Sequence, residues 1–125
     1  MKVAITNWQG RVSPLFDAAE RLLVVQVENG REVKRGEVFL NRASPSAQVG
    51  GVIQSGAEVI ICGAISEPFA ALLFSSGIRL VPNICGPVEE VLQAFINGTL
   101  FGGGFYMPGC AGHRRRRRAR NRGGR

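Results

Sequence analysis

Histidine is almost missing from this chain, with one in 125 residues, and tryptophan and tyrosine also occur once each. That scarcity removes several kinds of chemistry. A Ser-His-Asp or Cys-His site would have to recruit His113, which adjoins a run of arginines, and no GxxxxGK[ST], GxSxG or HExxH pattern occurs. Met1 to Asn7 carries no carboxylate, so a metal-dependent nuclease built on the first strand lacks its ligands. Asp17, Glu20 and Glu67 read as helix-start or surface charges. We therefore expect a protein that is not an enzyme. Three cysteines, an odd number without a CxxC pair, are too few for a disulfide scaffold and fit a reducing compartment. No apolar run approaches the ~20 residues of a membrane span, and MKVAITNWQG lacks the apolar stretch of a signal peptide. A cytoplasmic location is the expectation.

Acid is missing from one region altogether. The formal charge is +7, but eight of the sixteen basic residues lie between His113 and Arg125, where there is no carboxylate. The preceding 112 residues hold the other eight against all nine acids, so the body of the protein is close to neutral. Arg114, Arg115, Arg116, Arg117, Arg118, Arg120, Arg122 and Arg125 form a dense guanidinium array suited to phosphates, an anionic cluster or an acidic protein surface. No aromatic is interleaved to stack on bases, so any nucleic-acid contact made there should be salt-sensitive and blind to sequence. The plainer reading is a solubilising tail.

What the chain does have is apolar material, 45% of residues, enough for one layered core. Val3 to Thr6 reads as a strand, followed by a loop with Asn7, Gly10, Ser13 and Pro14. After a helical turn at Phe16 to Glu20, Arg21 to Glu28 and Glu32 to Leu40 flank Asn29-Gly30 as an antiparallel hairpin. Ser44-Pro45 caps a helix ending at Gly56. Glu58 to Cys62 is a buried-type strand, Ser66 to Gly77 a helix, Ile78 to Val81 a strand, and Pro87 to Gly98 a helix with acids in its first turn. These elements predict an α/β domain over residues 1–100, with about three helices on a mixed sheet of about five strands. From Gly102 onward the pattern predicts no packed element, and residues 101–125 read as a flexible Gly-rich and Arg-rich tail.

In such sheets ligands sit beyond the carboxyl ends of strands, which here are Thr6-Asn7-Trp8, Cys62-Gly63 and Ile84-Cys85-Gly86. Gly63 and Gly86 could let backbone approach a ligand and offer amide donors to an anion. Cys62 reads first as a core residue, since it closes an apolar run, whereas Cys85, nearer a loop, fits a core or a ligand role alike. Cys110 stands outside any periodic segment and is the foremost ligand candidate, with His113 a weaker one. Trp8 either lines a cleft or covers the end of the core. Thiolates with an imidazole are ligands for iron–sulfur species or zinc.

Gly10 to Ala19 (GRVSPLFDAA), Cys62 to Ser66 (CGAIS), Gly77 to Asn83 (GIRLVPN) and Val88 to Gly98, with MPGC following, resemble the dinitrogenase iron–molybdenum cofactor biosynthesis family, NifX-like and NifB C-terminal-like accessory domains. The resemblance covers roughly residues 1–100. It implies a ribonuclease-H-like three-layer sandwich without nuclease activity that binds or carries iron–sulfur or iron–molybdenum cofactor precursors and exchanges them with donor or acceptor proteins. Members that handle the cofactor typically show Ser-Pro-His-Phe in the first loop, where this chain has Ser13-Pro14-Leu15-Phe16. Leucine cannot coordinate iron, so ligation by this chain would fall to thiols or backbone amides, with Cys110 gaining weight. The other reading is an interaction module whose tail recruits nucleic acid or an acidic protein.

Overall fold

Two apolar faces on one sheet determine the architecture. The computed structural model describes residues 1–102 and 104–107. Strand β1 (Lys2–Trp8) is central because Val3, Ala4 and Ile5 are buried on both sides. It pairs antiparallel with β3 (Arg21–Glu28) and parallel with β5 (Val59–Ile61). Strand β4 (Arg31–Phe39) flanks β3, β6 (Arg79–Val81) flanks β5, and the order is β4-β3-β1-β5-β6. Asn29 and Gly30 take the positive φ values the hairpin between β3 and β4 needs.

Alternation along the strands assigns each residue to a layer. Val3, Ile5, Leu23, Val25 and Ile61 meet α3 (Val88–Asn97) through Val91 and Leu92. Ala4, Leu22, Ile60 and Cys62 face the other way, under α1 (Pro45–Gln54) and α2 (Glu67–Ser75), where Val49, Val52 and Leu73 fill the space. The result is three layers, helix, mixed sheet and helix, as the alternation of elements predicts. Ser44 accepts a hydrogen bond from Ala47 N at 3.1 Å and caps α1 ahead of Pro45, as the Ser-Pro pair indicates. Arg35 ties the hairpin to α3, its Nη1 donating to Glu89 at 2.7 Å and its Nη2 to Glu32 at 2.7 Å. Those hydrogen bonds hold both carboxyls below their ordinary range.

Two features depart from the sequence reading. The expected loop after β1 contains a further short strand, β2 (Arg11–Val12), which folds back on Asn7 and Trp8 and gives the sheet six strands instead of five. The packed chain also continues past Gly102. Leu100 is buried in a 3-10 turn, Leu100–Gly102, and Tyr106 then pairs antiparallel with Ile84. Cys85 N donates to Phe105 O at 2.7 Å and Met107 N to Asn83 O at 2.8 Å, so residues 104–107 form a strap across the strand ends. Its cause is local, because Phe105 and Tyr106 bury apolar surface on the α3-side core, which three glycines beforehand conceal from any periodicity. The rest of the expected flexible tail, residues 108–125, lies outside the described residues.

Candidate functional site

The first loop is held to the rest of the fold from four directions. Phe16 N donates to Ala64 O at 2.7 Å and Ala64 N to Pro14 O at 2.9 Å, so Leu15 and Ala64 form a parallel bridge. Asp17 Oδ1 accepts from Ser66 N at 3.1 Å, and the buried Gln48 donates from Nε2 to Phe16 O at 2.7 Å. Phe16 is fully buried and meets Phe69 edge-on, with centroids 5.4 Å apart. Leu15, one residue earlier, is 41% exposed. This arrangement presents the Leu15 side chain from a fixed backbone.

Beside it is a cleft of about 480 Å³ whose walls include Asn7, Trp8, Pro14, Leu15, Ala18 and Arg21. Trp8 therefore lines a cleft, and it does so while 54% exposed. It is carried there by the tight turn at Gln9 and Gly10, whose φ values are 53° and 85°. Gly10 N donates to Asn7 Oδ1 at 3.0 Å within the turn, and Gly10 O accepts from Val88 N at 2.9 Å, docking the hairpin on the start of α3.

The two glycines are used by the protein's own backbone. A Cβ on Gly63 would lie 2.5 Å from Pro14 O and 2.7 Å from Pro14 C, with Ser13 O closer still, so the glycine is needed where the first loop crosses over it. Gly86 has φ +130°, and its carbonyl accepts from Val12 N at 2.9 Å. The nearby amides expected to face an anion are spent in the same way: Ala64 N and Ser66 N serve the first loop, and Val88 N serves the β1–β2 turn.

The cysteines separate. Ile84 N donates to Cys62 O at 3.0 Å, so the backbones that precede Gly63 and Gly86 share one edge, as expected. The Cys62 side chain, however, is fully buried in the core beneath α1 and α2. Burial, with a smaller contribution from the charge of Asp17, pushes its thiol up to about 12. Its core role thus prevails over a ligand role, since a neutral, enclosed thiol is a poor donor to a metal. The same shift has a consequence for stability. The unfolded chain releases this proton near the ordinary thiol value of 9.0 while the folded chain retains it, so stability should fall as pH rises from about 9 to about 12. Denaturant midpoints of the intact chain and of Cys62→Ala across that range would check it, with the variant showing the flatter dependence.

Cys85 is half-buried, its Sγ 3.7 Å from Tyr106 O beneath the strap. Among the described residues no three His, Cys, Asp or Glu side chains converge to hold a metal ion. Cys110, His113 and the eight tail arginines lie outside the described residues. No described helix is long and apolar enough to cross a membrane.

Sequence reasoning did not anticipate one member of the cleft, Arg21. Its guanidinium carbon lies 5.1 Å from the centroid of the Phe39 ring on the neighbouring strand. A guanidinium in a cleft lining that contacts an aromatic by a cation–π interaction keeps its N–H groups available to a ligand.

Known proteins share this framework. A protein of Methanocaldococcus jannaschii, MJ0580, itself uncharacterized, is 26% identical over 106 residues, covering 80% of this chain and 89% of its own. The crystal structure of PH0822 superimposes with a TM-score of 0.73 at 24% identity, covering 78% of this chain and 92% of the other. That of MJ0327, also from Methanocaldococcus jannaschii, gives 0.65 at 23% identity over 79% and 90% of the two chains. Likeness at these identities establishes a common fold. Residues 1–98, from the first strand to the end of α3, match the family model described as dinitrogenase iron-molybdenum cofactor, and the chain belongs to that family.

Proposed function

We propose that this chain is a non-enzymatic cytoplasmic carrier for an iron–sulfur or iron–molybdenum cofactor precursor, taken from a donor protein and passed to an acceptor. The observation that carries the reading is the family match over residues 1–98, which spans every element that builds the cleft. The cleft supports it as a rigid, concave and largely apolar site at the strand ends, where α/β folds hold their ligands.

The described side chains offer no complete set of metal ligands, which gives the cargo two kinds of attachment. One is electrostatic, because sulfide-bridged metal clusters are anions. The other is the thiolate of Cys110, which stands three residues beyond Met107 in the sequence. Met107 N is hydrogen-bonded to Asn83 O at 2.8 Å, Asn83 N to Gly63 O at 2.9 Å, and Gly63 lies against Pro14, a residue of the cleft wall.

The test is iron and acid-labile sulfide content after anaerobic incubation with ferrous iron and sulfide. The intact chain should retain both in stoichiometric amount, Cys62→Ala should retain them too, and Cys110→Ser should lose them at any salt concentration. A chain ending at Gly112 should lose only part of its affinity. No retained iron in the intact chain would exclude assembly on these thiols. The acid-free run of arginines favours a second reading, in which the tail recruits nucleic acid or an acidic protein, and there truncation at Gly112 would abolish binding while Cys110→Ser would not.

A further inference from the structure

We propose that Arg21, set over Phe39 in the lining of the Trp8 cleft, is the residue that receives the negative charge of the bound cargo. The inference rests on the carrier reading and assigns the electrostatic half of it to one side chain.

Charge in the cleft is sparse. Arg21 is the sole cation in its lining, and the sole acid there is Glu20, whose carboxylate is already engaged by Arg42 Nη1 at 3.4 Å. Arg21 itself has no carboxylate within ion-pair distance among the described residues, although Arg35 pairs with Glu32 and Glu89 and Arg42 with Glu20. An unpaired guanidinium is not in itself unusual on a surface. What distinguishes this one is its neighbour, because the guanidinium carbon lies 5.1 Å over the centroid of Phe39, a ring 69% exposed that no packing demand explains. A cation–π contact engages no hydrogen-bond acceptor, so the N–H groups stay available for a ligand.

The cleft lining also includes Trp8, Pro14 and Leu15, apolar surface that offers no charge. A cation in a lining that is otherwise mainly apolar matches a compact anion whose outer atoms are soft and poorly hydrated, which describes the sulfides of a metal–sulfur cluster better than it describes a phosphate. Leu15, where a ligating imidazole could stand, belongs to that apolar surface, so the cleft favours holding the cargo by charge and shape over coordinating it there.

The experiment uses the intact chain and a preformed dianionic [4Fe–4S] cluster capped by small thiolates, added anaerobically and followed by gel filtration and by quenching of Trp8, the only tryptophan. Arg21→Gln should weaken binding about tenfold, and Arg21→Lys, which keeps the charge but not the fork, should recover part of it. Phe39→Leu should weaken it less than Arg21→Gln while leaving the unfolding midpoint nearly unchanged, since the ring is exposed. Unchanged cluster affinity in Arg21→Gln would overturn the proposal.

A second measurement does not depend on the cargo. Iodide, an anion, and acrylamide, which is neutral, both quench tryptophan, and Arg21→Gln should lower the iodide constant for Trp8 about twofold while leaving the acrylamide constant alone. Iodide quenching that ignores the substitution would overturn the proposal. Iodide quenching that responds, in a chain that binds no cluster, would support Arg21 as the anion site and overturn the cluster as its cargo.

Discussion

Replacing Phe16 with alanine should cost about 4 kcal/mol of stability and free the first loop. The side chain is fully buried, packs edge-on against Phe69, and belongs to the core beneath α1 and α2. Deleting a buried aromatic removes its transfer free energy and leaves a cavity that the surrounding sheet and helices fill only in part. What makes the site informative is its backbone. Phe16 N and O carry the bonds to Ala64 and Gln48, so loss of the ring removes the packing that keeps both in register. Denaturant unfolding would give the stability, and hydrogen exchange at the Phe16 and Ala64 amides should accelerate well beyond the global change. If exchange at the two amides accelerated only in proportion to the loss of global stability, the ring would be a core filler and not the anchor of the loop.

Gly63→Ala should be nearly as severe, at about 3 kcal/mol, by the opposite route of overcrowding. Its new methyl would meet Pro14 O at 2.5 Å and Pro14 C at 2.7 Å, and these are backbone atoms that cannot rotate away. Retreat of the loop would break the Phe16–Ala64 and Ala64–Pro14 hydrogen bonds of 2.7 and 2.9 Å. The displacement would also carry Pro14 and Leu15 out of the cleft wall, so cluster affinity should fall along with the unfolding midpoint. By contrast, alanine at Gly50, where nothing lies within 4 Å, should be tolerated in the interior of α1 or stabilise it by up to about 1 kcal/mol, and it provides the control.

The layer architecture was legible because its signals are local. The Asn29-Gly30 hairpin, the Ser44-Pro45 helix start and the apolar run ending at Cys62 each specify an element within a few residues, and the structure has β3, β4, α1 and β5 at those places. The site was less legible, and its hidden parts share a cause. Counting from the hairpin turn pairs Arg21 with Val38 and puts Phe39 on the other face of the sheet. Strand β4 instead carries an extra residue at Val33, where the register shifts, and this moves Phe39 opposite Arg21. A single bulge therefore brings Phe39 opposite Arg21, and a period-two reading has no means of detecting it. The strap at 104–107 was hidden similarly, since its partners, Asn83, Ile84 and Cys85, lie about twenty residues away in sequence and no repeat connects them. Trp8, which from sequence either lines a cleft or covers the end of the core, stands in the cleft lining just before the turn at Gln9 and Gly10.

The strap has one further consequence, which follows from chain geometry alone. Hydrogen bonds between Phe105 and Cys85 and between Met107 and Asn83 close the intervening chain, α3 included, into a loop of about twenty residues. The entropy lost on closing such a loop grows only slowly with its length, so the strap holds α3 against the sheet at little cost in chain freedom.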